Sequence, residues 1–263
     1  MASRGEAGAS EPGCRRGQAY CPDPAADYGP GSGDDLRYTC GVILKERPSP
    51  NHNARPRDGV VDMLVLHYTG MQSAEAALDR LCDSAAAVSA HYLIEENGTL
   101  WRLVREDRRA WHAGVAYWRG HRDINARSIG IELVNPGHEF GYRPFPKAQM
   151  ETLATVARDL LGEYAIPARN VVGHSDVAPT RKQDPGELFD WHQLAAAGIG
   201  LWPTVDAAAT ADATELLRRI GYEAGEALSE DVTAFQRHWL PDRISGEVCG
   251  ETLRRMQAVA DLL

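Results

Sequence analysis

The sequence predicts an α/β protein: a mixed central β-sheet flanked by helices, followed by a small C-terminal bundle of three helices. Three observations carry this expectation. Short apolar, β-branched runs alternate with helix-period stretches up to about residue 200. Beyond about residue 205 the pattern is helical only. An Asn97-Gly98 pair between two apolar runs marks an antiparallel hairpin inside the first part.

The elements follow in chain order. Residues 1–40 hold seven glycines and four prolines with few large apolar side chains, and read as a disordered extension. In "VVDMLVLHYTG" the run from Val60 to Leu66 reads as a strand buried on both faces. Ser73 caps a helix over "AEAALDRLC". "AHYLIEENGTLWRLV" is the hairpin, with Asn97-Gly98 as its two-residue turn. In "RSIGIELV", Ile129, Ile131 and Leu133 face one way and Gly130, Glu132 and Val134 the other. Met150, Leu153, Ala157, Leu160 and Tyr164 make a helical stripe, and "NVVGH" is a last short strand. The segment "GIGLWPTVDAAATAD" reads as a flexible linker. After it come a helix in "ATELLRRIGY", a stripe of Leu228, Val232, Phe235 and Trp239 with Ser229 as N-cap, and a stripe of Leu253, Met256, Ala260 and Leu263.

Composition excludes several classes. A net charge of -9 and a pI near 5.5 argue against non-specific nucleic-acid binding, which needs lysine and arginine against phosphate. No apolar run approaches the roughly 18 residues of a membrane span. The N-terminus shows no apolar signal core, which points to a cytoplasmic protein. The five cysteines are odd in number and scattered, and read as free thiols.

The chemistry concentrates in "GHSDVAPTRKQDPG", residues 173–186. His174 and Asp184 are separated by a segment that Pro179 and Pro185 keep from being a helix. His67 follows the first buried strand as His174 follows the last. If those strands run parallel, both histidines sit at one sheet edge, where α/β proteins keep their sites. Asp184 then completes a His-His-Asp set suited to zinc with an open fourth position. On spacing alone, the plainer reading stands, in which each histidine caps a strand and Asp184 starts a turn.

The motifs "MLVLHYTG", "SAHYLIEENGTLWRLV", "AWHAG", "RSIGIELVNPG" and "GHSDVAPTRKQDPG" occur in the same order as in the zinc-dependent type-2 N-acetylmuramoyl-L-alanine amidases. The resemblance spans about residues 42–200. It implies the fold shared by these amidases and the peptidoglycan recognition proteins, with zinc at the positions matching His67, His174 and Asp184. It also implies a catalytic glutamate at Glu132 and an oxyanion-stabilising lysine at Lys182. Phage relatives carry a catalytic tyrosine before the histidine matching His91; Ala90 stands there instead, which leaves the proton work to Glu132. Trp111 and His112 are expected to contact sugar or stem peptide, and Arg127 a stem-peptide carboxylate. Arg181, His52, His121, His138, His192 and His238 are read as lying outside the site.

The tail, about residues 208–263, resembles the peptidoglycan-binding domain of cell-wall hydrolases in "LRRIGYEAG", "DVTAFQRHW" and "GEVCGETLRRMQAV". Residues 204–263 hold eleven acids and six arginines, which again excludes nucleic acid. The expected organisation is an extension over 1–40, a zinc amidase domain over 41–203 and a peptidoglycan-binding-like helical domain over 204–263 that tethers it to the wall. The implied activity is hydrolysis of the amide between N-acetylmuramic acid and L-alanine, in peptidoglycan or its anhydromuropeptide fragments, by a bacterial monomer. The long architecture points to the periplasm, against the visible N-terminus. The alternative is a non-catalytic peptidoglycan-recognition protein on the same fold; such receptors typically lack a metal ligand.

Overall fold

The computed structural model describes residues 38–39, 42–57, 59–204 and 208–263, which belong to one folded unit. Apart from 38–39, the expected N-terminal extension lies outside the described residues. Nine strands are present among the described residues: β1 (Tyr38–Thr39), β2 (Val42–Glu46), β3 (His52–Ala54), β4 (Met63–Tyr68), β5 (Tyr92–Ile94), β6 (Leu100–Arg102), β7 (Arg108–Ala110), β8 (Ser128–Leu133) and β9 (Val171–Gly173). Seven form a mixed sheet in the order β1-β2-β6-β5-β8-β4-β9, and β3 pairs with β7 in a small second sheet. The helices are α1 (Ala74–Cys82), α2 (Ile124–Arg127), α3 (Gly137–Phe140), α4 (Lys147–Glu163), α5 (His174–Val177), α6 (Trp191–Ala196), α7 (Ala213–Ile220), α8 (Leu228–Trp239) and α9 (Gly250–Ala260).

At one end of the mixed sheet β8, β4 and the edge strand β9 run parallel. Strand alternation assigns its two faces. Leu64, Leu66, Ile129, Ile131, Leu133 and Val171 point into one core with Met150, Leu153, Val156, Ala157 and Leu160 of α4. Met63, Val65 and Val172 point the other way, into a second core. That second core is completed by Leu216, Leu217 and Ile220 of α7, Val232, Phe235 and Trp239 of α8, and Met256 and Val259 of α9. The C-terminal helices therefore cover a face of the sheet, and their apolar stripes are buried against it rather than only against one another. The segment read as a linker takes part as well. Ile199 is 1% exposed in the first core, and Trp202 packs on both cores and stacks on Trp239 with ring centroids 5.9 Å apart.

Several local expectations are corrected. The first central strand begins at Met63, and Val60 is 66% exposed, because residues 59–62 precede the paired register. The hairpin turn has three residues, not two: Glu95 and Thr99 pair across Glu96-Asn97-Gly98, and Gly98 takes a φ of +87° that favours glycine. Ser73 caps α1 as expected, accepting from the Ala76 N–H at 3.2 Å. Ser229 is not a cap; α8 starts one residue earlier, and the Ser229 hydroxyl instead donates to the Gly246 carbonyl at 3.3 Å.

Candidate metal centre

The site lies at the C-terminal ends of β4, β8 and β9. Register places His67 directly beside Glu132, and Leu66 beside Gly173, so His67, Glu132 and His174 meet at one edge. By parity, His67 and Glu132 point to the face that the C-terminal helices cover. The chain after α5 turns back to bring in Asp184, tied by the Ser175 N–H to the Asp184 carbonyl at 2.9 Å. His67, His174 and Asp184 are all buried, with their ligand atoms within 4.8 Å of one another.

The proton positions in this cluster follow from its partners. Nε2 of His174 faces the Ala113 carbonyl at 3.1 Å, and a carbonyl only accepts. Nε2 therefore carries a proton, and in the neutral ring, the form that ligates a metal, Nδ1 presents a lone pair. For His67 the deduction runs through two more residues. The Ser128 hydroxyl donates to the Ile124 carbonyl at 2.6 Å, so it accepts from Nε2–H of His112 at 3.1 Å. His112 Nδ1 then accepts from Nε2–H of His67 at 3.1 Å, which leaves His67 Nδ1 bare as well. Both bare Nδ1 atoms and Asp184 Oδ2 stand 3.0 Å from one another, three acceptors with no proton between them. A cation is the group this arrangement fits. Two imidazole nitrogens and a carboxylate oxygen with outer partners on both rings make a donor set suited to zinc.

Electrostatics agree. Burial, reinforced by His174, pushes His67 down to about 4, so it stays neutral. Burial, then the Asp184 charge, pushes Glu132 up to about 8, with Lys182 pulling the other way. Oε2 of Glu132 is buried with no hydrogen-bond partner in the protein.

The cluster opens into a cleft of about 370 Å³ whose walls include Trp111, His112, Glu132, Lys182 and Arg80. Of the residues singled out in the sequence, His67, His174, Asp184, Glu132, Lys182, Trp111 and His112 converge here. Lys182 is exposed at the mouth. Trp111 is half-buried in the wall, its Nε1–H donating to Asn53 Oδ1 at 3.0 Å. His112 spends both ring nitrogens on His67 and Ser128, which leaves neither for a sugar or peptide. It buttresses His67 instead, and Gly130 is the reason it fits: a Cβ there would stand 2.5 Å from the His112 ring.

Arg127 does not reach the cleft. It precedes β8 by one residue, roughly 16 Å of strand from Glu132 at about 3.3 Å per residue. There it grips Asp62 with two guanidinium nitrogens. Arg181, read as a surface residue, lines the cleft and donates to the Ala113 carbonyl at 3.1 Å. Asn125 was not singled out; its Oδ1 accepts from the N–H groups of His112 and Ala113, fixing both residues that orient the histidine ligands. Ala90 and His91 are both fully buried, His91 accepting at Nδ1 from the Gly130 N–H at 3.0 Å.

Comparison with known proteins agrees with this geometry. Residues 57–187 match the family model of N-acetylmuramoyl-L-alanine amidases. The chain is 38% identical to N-acetylmuramoyl-L-alanine amidase AmiD of Escherichia coli over 255 residues, 85% of this chain and 90% of that protein. It is 38% identical to 1,6-anhydro-N-acetylmuramyl-L-alanine amidase AmpD of Enterobacter cloacae, over 59% of this chain and 90% of that protein. Among solved structures, E. coli AmiD in complex with anhydro-N-acetylmuramic acid-L-Ala-D-gamma-Glu-L-Lys superposes with a TM-score of 0.69 at 36% identity, covering 80% of this chain and 91% of that one. AmpDh3 from Pseudomonas aeruginosa in complex with anhydromuramic pentapeptide gives 0.71 at 33% identity, covering 77% and 92%. The AmiD and AmpDh3 matches extend well beyond residues 57–187, whereas the AmpD match covers a smaller part of the chain. A buried acceptor cluster that calls for a cation, an adjoining glutamate with one unpartnered oxygen and these matches together place the chain in the N-acetylmuramoyl-L-alanine amidase family.

Proposed function

We propose that this protein is a zinc amidase that hydrolyses the bond between N-acetylmuramic acid and L-alanine, and that it accepts anhydromuropeptides. The observation that carries this reading is the pairing of two groups on adjacent strands: the three-acceptor cluster, and Glu132 with a buried, unpartnered oxygen. His67, His174 and Asp184 would hold the metal. Zinc bound there would supply Lewis acidity and a water nucleophilic near neutral pH.

The protein groups do the rest. Glu132 takes the proton from the attacking water and returns it to the departing L-alanine amine, which leaves readily only when protonated. Lys182 at the cleft mouth meets the negative charge that develops on the lactyl carbonyl oxygen. Trp111 offers an apolar wall to the sugar or stem peptide. A pure binding protein has no use for a carboxyl with a buried, unpartnered oxygen beside an acceptor cluster, so the receptor alternative lacks support.

The working substrate is a soluble anhydromuropeptide, as in the complexes of the related enzymes. No helix among the described residues is long and apolar enough to cross a membrane. Mass analysis of products from a defined anhydromuropeptide tests the reading. Release of the intact stem peptide from anhydro-N-acetylmuramic acid supports it. Cleavage inside the stem peptide, or binding with no turnover by zinc-loaded protein, overturns it.

A further inference from the structure

His174 is followed two residues later by Asp176, which takes no part in the cleft yet is only 1% exposed. Its carboxylate is satisfied from two directions. From its own segment, the Gly173 N–H donates to Oδ2 at 2.7 Å, bridging across the backbone of His174. From the C-terminal helical region, Nδ1 of His238 donates to Oδ2 at 2.8 Å, and the Tyr222 hydroxyl donates to Oδ1 at 2.5 Å. His238 is itself fixed, its ring stacked on Trp191 and Trp239 at centroid distances of 3.8 and 4.0 Å. Tyr222 is 1% exposed and packs edge-on against Trp118.

We infer that Asp176 is a positioning residue for the His174 metal ligand, and that Tyr222 and His238 make the C-terminal helical region a working part of the metal centre. The inference rests on the reading of His174 as a zinc ligand. The physical argument is satisfaction of a buried carboxylate. With three donors, Asp176 is held in one place, and through the Gly173 N–H it sets the start of the four-residue helix that His174 opens. Without Tyr222 and His238 it would keep a single protein donor, and a buried carboxylate so exposed to a deficit shifts to find water or another partner. Gly173 and His174 would move with it. A tether has no such effect, because it shares no bond with the catalytic segment.

The test uses the full-length chain and reads zinc affinity by competition with a chelator, well below each variant's melting temperature. Tyr222→Phe removes one hydroxyl and keeps the packing; His238→Phe keeps an aromatic ring in the stack. Each should weaken zinc binding about 10-fold or more, the usual size for a partner outside the ligand shell. Val259→Ala, in the same core but without a bond to Asp176, should lose stability and keep wild-type zinc affinity. The double change Tyr222→Phe with Asp176→Asn should cost less than the sum of the two, since both act on one node. Unchanged zinc affinity in Tyr222→Phe and His238→Phe overturns the inference, as does an equal loss in Val259→Ala. Failure of the wild-type chain to bind zinc would instead sink the underlying metal reading.

Discussion

Asp184 and Asp176 belong to one stretch of chain, both are buried, and both lie within 3.0 Å of a histidine nitrogen, yet they stand in opposite states. Asp176 faces three donors, from Gly173, Tyr222 and His238, and needs nothing more. Asp184 faces two imidazole nitrogens whose protons are committed elsewhere, to Ala113 and His112. The first is a closed polar node that fastens elements together. The second is an open demand for positive charge. The contrast shows that burial and a neighbouring histidine do not by themselves mark a catalytic carboxylate; what marks it is which partner holds the proton.

The sharpest way to break the contrast is to remove a ligand. His174→Ala should abolish turnover, and a chelator should do the same to the wild type. Full activity after either treatment contradicts the open site. Next in size is Glu132→Gln, which keeps volume and hydrogen bonding but cannot take a proton. Turnover should fall at least roughly 100-fold while zinc stays bound. Near-wild-type rates would move the base elsewhere.

Lys182→Met should lower kcat by roughly 100-fold, the scale for losing one oxyanion contact. It also carries a pH signature. Lys182 lowers the Glu132 pKa, so its removal raises that pKa, and the acid limb of the kcat profile should move to higher pH. An unmoved limb would separate Lys182 from Glu132.

The smallest effect concerns stability. Burial, then Arg55, pushes His91 down to about 3, below its unfolded value of about 6.5. The folded state thus binds fewer protons than the unfolded one. Stability from this group is complete above pH of about 6.5 and is lost as pH falls toward 3. Melting temperatures of wild type and His91→Asn should converge as pH drops through that window; parallel curves would assign the acid loss to other groups.

Much of the sheet and the ligand set was legible because both depend on local pattern. The alternation in "RSIGIELV" separated Ile129, Ile131 and Leu133, which the structure packs against α4, from Glu132 on the site face. His67, His174 and Asp184 were legible through the spacing of a proline-framed segment and its resemblance to a family. What stayed hidden depends on pairings across long sequence distances. Nothing near Arg127 announces Asp62 as its partner. His112 reads as a substrate contact until Ser128 and His67 are seen on its two nitrogens. The helical tail read as a tethered module because its apolar stripes say that a face is buried, but not against what. The sheet face of Met63, Val65 and Val172 supplies the answer.

The account turns on the claim that the acceptor cluster at Asp184 holds zinc. Elemental analysis of the purified full-length chain tests this most directly, beside Asp184→Ala and Asp176→Asn. The prediction is about one zinc per chain in the wild type, none retained by Asp184→Ala, and weakened but measurable binding in Asp176→Asn. Zinc-free wild type that still cleaves the muropeptide amide, or Asp184→Ala that keeps its zinc, would contradict it.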